Sequence, residues 1–171
     1  MGVIGAVVLA AGEASRFGAP KQQLLVAEVL ARLRQAPVDQ IVVVSGAHPL
    51  ETDAALVHCP DWQRGPGASL RCGLAALPEA AEAAVVVLAD GPDLAPAAVA
   101  RVLDAWHEQH DDLVAASYAG VRGHPLVLAR SAWHHVPDEG LRAFRPRLVP
   151  CDDLGAPGDV DRPTDLPERL R

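Results

Sequence analysis

Strands alternating with helices along the hydrophobic pattern predict an α/β protein: three layers around a mostly parallel, mixed sheet. Three observations carry that prediction. Apolar runs over residues 3–11, 40–45 and 83–90 show almost no alternation with polar residues, as in strands buried on both faces. Between them, apolar residues recur at helical spacing. The chain is 50% hydrophobic but only 4% aromatic, so its core is mostly Ala, Val and Leu, a composition suited to helices packed closely on a sheet.

The elements follow in order. The first strand, from Val3 to Ala11, breaks at Gly12 into a loop carrying Ser15, Arg16, Gly18 and Lys21. Val26, Val29, Leu30 and Leu33 then fall at i, i+3, i+4 and i+7, marking an amphipathic helix to about Gln35, before Pro37. Gln40–Ser45 is the second strand; a weaker helix is expected after Pro49 and a short strand over Ala55–Cys59. Asp61–Ala68 is a Gly- and Pro-bearing loop, and Ser69 is expected to cap a helix with Leu70, Leu74 and Leu77 on one face. Ala83–Asp90 is a strand ending on an acid and a Gly91-Pro92 turn. Pro96 opens a helix burying Val99, Val102, Leu103 and Trp106. Further strands are expected at Leu113–Ser117, His124–Ala129 and Arg147–Cys151, a helical patch at Ser131–Val136, and a turn-rich tail from Gly155.

With 171 residues, the chain reads as one domain able to bury a sizeable core. Its net charge of −7 argues against nucleic acid as a partner, which needs a broad basic face. Cys59, Cys72 and Cys151 form neither a zinc pattern nor an even disulfide framework, which fits a reduced, cytoplasmic setting. No basic segment precedes the opening apolar run, so it is expected to be a strand and not a signal peptide. No run approaches a membrane span, so no membrane partner is expected.

The stretch from Leu9 to Lys21 has the anatomy of a phosphate cradle. Leu9, Ala10 and Ala11 lead from the strand into a loop of small residues from Gly12, where the backbone can approach a ligand and point N–H groups at an anion. Arg16 and Lys21 add positive charge suited to phosphate oxygens. It is no Walker A loop, since five residues separate Gly12 from Gly18 and Gln22 follows Lys21; no Gly-x-Gly-x-x-Gly fingerprint occurs either. Asp90, at a strand end before an exposing turn, suits a divalent cation held through oxygen, although a turn-capping role is the plain alternative. Both features lie at strand carboxyl ends, where ligands sit on such sheets, and this places them in one site. The glycines flanking a helix start at Gly67 and Ser69 could present N–H groups to a base or ribose. No histidine has partners at zinc spacing.

Leu9-Ala-Ala-Gly-Glu-Ala-Ser-Arg-Phe-Gly-Ala-Pro-Lys21 resembles the signature Leu-Ala-Ala-Gly-x-x-Ser-Arg-x-Gly-x-x-Lys of the nucleotidyltransferases, in particular the molybdenum cofactor cytidylyltransferases. Four further segments resemble that branch in order. Gly65–Leu74 matches a Gly-x-x-x-Ser-Leu-x-x-Gly-Leu element, and Leu88–Leu94 a Leu-x-Asp-x-Pro-x-Leu motif whose Asp is a metal ligand. Arg122-Gly-His-Pro resembles an acceptor-side Arg-x-Gly-His-Pro segment compressed by one residue, and Asp159-Val-Asp-Arg-Pro-Thr-Asp-Leu166 resembles a closing Asp-x-Asp-Thr-Pro-x-Asp-Leu motif with Arg162 at its Thr position. Pro137–Arg142 resembles another acceptor-side element, with Asp138 and Arg142 as candidates.

The resemblance implies a Rossmann-like nucleotide-diphospho-sugar transferase fold over residues 1–171 and Mg²⁺-dependent transfer from CTP to the phosphate of molybdopterin bearing molybdenum. Arg16 and Lys21 would stabilise the triphosphate and the departing pyrophosphate. Asp90 with Asp159, or with Asp161, would hold Mg²⁺, and Ser69 would serve base-side positioning. His124 would contact the acceptor or be structural. A molybdoenzyme of the xanthine dehydrogenase type is the implied protein partner. One departure stands out: relatives insert a Gly-containing turn and an apolar pair after Lys-Gln-Leu-Leu, whereas Lys21-Gln-Gln-Leu-Leu25 runs almost straight into the helix. The alternatives are transfer from GTP or to a sugar phosphate, an NAD(P)H oxidoreductase, and a non-catalytic cofactor-binding protein. The second strand ends at Ser45 and not at a ribose-binding acid, which disfavours the oxidoreductase.

Overall fold

A computed structural model describes residues 2–12 and 19–171, with the backbone alone for 19–21. Among the described residues seven strands form one sheet: β1 (Val3–Ala10), β2 (Gln40–Ser45), β3 (Ala55–His58), β4 (Ala81–Leu88), β5 (Leu113–Tyr118), β6 (Val121–Ala129) and β7 (Arg147–Pro150), in the order β3-β2-β1-β4-β6-β5-β7. β1 pairs in parallel with β2 and β4, β2 with β3, and β5 with β7. β6 runs antiparallel to both its neighbours, β4 and β5. The sheet is therefore mostly parallel with one reversed strand, as the sequence predicts.

Among the described residues three α-helices cover it: α1 (Ala19–Leu33), α2 (Pro66–Ala75) and α3 (Pro96–Gln109). The pleat assigns the layers. Ile4, Ala6, Val8 and Ala10 of β1 face a cluster containing Val26, Val29, Leu30 and Leu33 of α1 and Val99, Val102, Leu103 and Trp106 of α3. Val7 points the other way, into a cluster with Leu70, Leu74 and Leu77. All four periodic positions of α1 are buried.

Several expectations are corrected. The segment after Pro49 is not helical. It runs past α1 with the Glu51 N–H donating to Gln23 Oε1 and the Ala54 N–H to Thr52 Oγ1, and those bonds replace a helical ladder. Helix α1 begins at Ala19, so Lys21 belongs to its first turn and not to the preceding loop. Helix α2 begins at Pro66 with Gly65 as its cap, so Ser69 lies inside the helix and is no N-cap. The patch over 130–135 is a 3₁₀ turn.

The tail beyond Gly155 contains two 3₁₀ turns and packs back on the molecule. Val160 and Leu166 bury themselves against Leu25. The Arg169 guanidinium reaches Asp93 at 2.6 Å and Glu28 at 3.3 Å. The three cysteines are free thiols. Among the described residues no helix is long and apolar enough to cross a membrane.

Candidate active site at the carboxyl edge of the sheet

Two cavities open where β1 and β4 end. The first, about 470 Å³, is lined by Leu9, Ala10, Ala11 and Gly12 after β1, and by Leu88, Ala89 and Asp90 after β4. Gly65, Pro66 and Ser69 at the start of α2, Trp62 and Gln63 before it, Gln22 and Leu25 of α1, and Val160 and Asp161 of the tail complete it. The second, about 590 Å³, is bounded by Val87, Leu88, Asp90 and Gly91, by Tyr118, Arg122 and His124 of the β5–β6 hairpin, and by the tail from Ala156 to Asp159. Leu88 and Asp90 belong to both.

The Asp90 turn is fixed on two sides. The Ala89 N–H donates to Leu9 O at 3.0 Å, and Asp90 O accepts from the Val160 N–H at 2.8 Å. The Asp93 N–H donates to Pro157 O at 2.8 Å, so the tail is tied along the whole turn. Asp159 thereby comes within hydrogen-bond reach of the Asp90 carboxyl. Burial first, then the charge and hydrogen bond of Asp159, and after them the charge of Asp161, push the Asp90 carboxyl up to about 6.

Two carboxylates this close repel unless a proton or a cation is shared between them. As hard oxygen donors they fit Mg²⁺, which takes one or two protein carboxylates and completes its shell with phosphate oxygens and water. Among the described residues no cluster of three or more His, Cys, Asp or Glu is arranged for a metal. Asp159 lines the second cavity and Asp161 the first, so the pair that meets is Asp90 with Asp159.

The predicted site residues divide clearly. Leu9, Ala10, Ala11, Gly12, Ser69, Asp90 and Asp161 line the first cavity; Asp90, His124 and Asp159 line the second. Ser15 and Arg16 lie outside the described residues, as does the Lys21 side chain. Among the described residues the first cavity is lined by no lysine or arginine.

Gly67 is a correction. Its N–H donates to Asp138 O at 2.8 Å and is not offered to a ligand. A Cβ there would stand 1.6 Å from Pro137 O, so glycine is required for the 137–140 segment to lie against α2. Asp138 serves as a clamp: its carboxylate pairs with Arg64 and Arg71, which hold it below the ordinary carboxylate range. Arg142 is exposed and lines neither cavity.

His124 precedes a cis peptide to Pro125, and its carbonyl accepts from Tyr118 Oη at 2.7 Å. Burial, with a smaller push from Arg122, lowers its imidazole to about 4, so it is neutral at physiological pH. Arg122 donates to Phe144 O at 2.8 Å and Leu141 O at 2.9 Å, anchoring the loop beyond β6. Trp62, Gln63 and Tyr118 were not singled out by sequence reasoning. The available signal was a rare aromatic in the short run between β3 and α2. Gln22 is buried, with its Nε2 donating to Ala10 O at 2.9 Å.

Residues 6–147 match the model of the MobA-like NTP transferase domain, and the chain belongs to that family. It is similar to the bifunctional enzyme IspD/IspF of Nitratidesulfovibrio vulgaris, 39% identical over 92 residues, covering 46% of this chain and 23% of that protein. The match thus spans about a quarter of the curated relative. Among solved structures it is similar to Rv0371c from Mycobacterium tuberculosis H37Rv, at 28% identity and a TM-score of 0.78 over 96% of this chain and 95% of that one. The Rv0371c complex with manganese superposes at a TM-score of 0.73 with 28% identity, covering 95% of each chain.

Proposed function

We propose that this member of the MobA-like NTP transferase domain family transfers the cytidylyl group of CTP to the phosphate of a molybdopterin-type acceptor, the molybdenum cofactor, with release of pyrophosphate. One observation carries the reading: Asp90, with Asp159 against it, stands where the two cavities meet. CTP in the first and the acceptor in the second would bring attacking oxygen and α-phosphorus together beside these carboxylates. An acceptor phosphate oxygen bonds to the α-phosphorus as the bond to the β-phosphate oxygen breaks, and pyrophosphate departs. Asp90 and Asp159 would hold Mg²⁺, which offsets the negative charge gathered there.

Arg16 and Lys21 take the triphosphate and the developing charge on the leaving group. The loop after β1 supplies backbone that can approach the phosphates closely. A phosphate monoester is largely ionised at neutral pH, so no general base is required. The neutral, half-buried His124 suits contact with an uncharged part of the acceptor and not proton abstraction. The manganese complex of Rv0371c supports divalent metal use by this architecture. The 39% identity to IspD/IspF favours a second reading, the same transfer onto a different phosphate acceptor.

The test is pyrophosphate release from CTP and GTP with Mg²⁺, across a panel of phosphate acceptors, by wild type, Lys21→Ala and Asp90→Ala. Both variants are expected to lose at least about a hundredfold in kcat, the scale of removing one preorganised electrostatic contact. Undiminished turnover in both would refute the assigned roles. Turnover only with a different acceptor would select the second reading.

A further inference from the structure

The chain has three tryptophans, and two of them are spent on structure. Trp106 donates its indole N–H to Asp111 O at 3.1 Å, and Trp133 donates to Leu128 O at 3.0 Å. Trp62 differs. It is half-buried, in the 3₁₀ turn Trp62–Arg64, and it lines the first cavity. Among the described residues its Nε1–H meets no acceptor, and Gln22 Oε1 is the one buried side-chain polar atom without a partner, so the indole N–H is open to solvent.

Its seat is built to hold a ring beside the loop after β1. Gly46 follows β2 directly, and a Cβ there would lie 2.6 Å from Ala11 O and 2.7 Å from Trp62 Cβ. No larger residue at 46 leaves room for the indole next to Ala11. On its other side the turn ends in Gly65, the cap of α2, whose residues Gly65, Pro66 and Ser69 form the adjoining wall. The indole and its free donor thus belong to the wall of a cavity that Asp90 and Asp161 also line.

We propose that Trp62 is the nucleobase-recognition residue of this cavity, offering its ring to the aromatic base and its N–H to an acceptor on the base or ribose. The inference rests on the nucleotide-binding reading of the first cavity and adds to it a residue for the base, Trp62, distinct from those assigned to the phosphates and the cation. A base contributes π surface whatever its identity, so stacking supplies affinity. The indole is a donor only, so its hydrogen bond is met by an acceptor atom.

The experiment is calorimetric titration of CTP and of inorganic tripolyphosphate, each with Mg²⁺, into wild type, Trp62→Phe and Trp62→Leu. Circular dichroism verifies folding, and the phenyl variant keeps the packing. The leucine variant is expected to bind CTP about 5- to 150-fold more weakly, the range that truncating a base-stacking aromatic produces. The phenylalanine variant, retaining a ring, falls between the two. Tripolyphosphate, which has no base, should bind all three alike. CTP should also quench the fluorescence of wild type but not of Trp62→Phe, where only Trp106 and Trp133 remain. Equal CTP affinity in all three proteins would overturn the role of Trp62 and leave the nucleotide reading intact. A parallel loss of tripolyphosphate affinity would also overturn it, marking Trp62 as structural. Failure of wild type to bind CTP or any other nucleotide would overturn both.

Discussion

Replacing Asp90 by asparagine should stabilise the metal-free protein at neutral pH while abolishing its response to Mg²⁺. In the folded state the Asp90 carboxyl is pushed from the ordinary 3.8 to about 6, chiefly by burial and by Asp159. An acid whose folded value lies above its unfolded value binds its proton more tightly when folded. Stability therefore falls as pH rises from about 4 to about 6, and the penalty is complete above that. Just over two decades of proton affinity correspond to about 3 kcal/mol at 1.36 kcal/mol per decade. Partial solvent access trims this to about 2 kcal/mol. Asparagine stays neutral and escapes the penalty, so in EDTA at pH 7.5 the variant should melt roughly 4–8 °C above wild type. At pH 4 the two should coincide. Adding Mg²⁺ should raise the wild-type Tm and leave the variant unmoved, because the cation needs the carboxylate that the substitution removes. Parallel melting curves from pH 4 to 8 in EDTA would refute the carboxylate pair.

Three other outcomes are expected. Gly67→Ala, whose Cβ would meet Pro137 O at 1.6 Å, should displace the 137–140 segment and lose about 3 kcal/mol or more in urea unfolding. His124 should show no imidazole titration by NMR between pH 5.5 and 8, because burial holds it at about 4; a midpoint near 6.5 would mean that it is solvated. Leu33→Ala, at a fully buried position of α1, should cost about 2–5 kcal/mol with an unchanged urea m-value.

The central sheet was legible because its strands are covered on both faces. β1, β2 and β4 read as apolar runs, and α1 and α3 as stripes of period 3.6. The reversed strand left a fainter trace. β5 and β6 join through Ala119 and Gly120 with φ of 53° and 77°, a tight hairpin turn that an Ala-Gly pair signals poorly. The start of α2 escaped prediction because its determinant is remote: Gly65 holds a φ of 136°, and the Gly67 N–H is satisfied by Asp138. The clamp at Asp138 was hidden for the same reason, since nothing near it in sequence reveals Arg64 or Arg71 as partners. Within the site, Asp90 and the Leu9–Gly12 stretch were legible as strand ends. Trp62 was not, because a lone aromatic in a short loop has no period to read.

One wall common to both cavities is made by chain that contributes no strand. Residues 156–161 run from the second cavity to the first, lie beyond the family match, and are fastened by main-chain bonds and by Arg169. The walls of the two cavities are therefore partly built outside the sheet that carries them. Under the proposed transfer reaction, exchanging this ribbon between relatives would reshape acceptor choice and cation grip together, without a single change to the strands beneath.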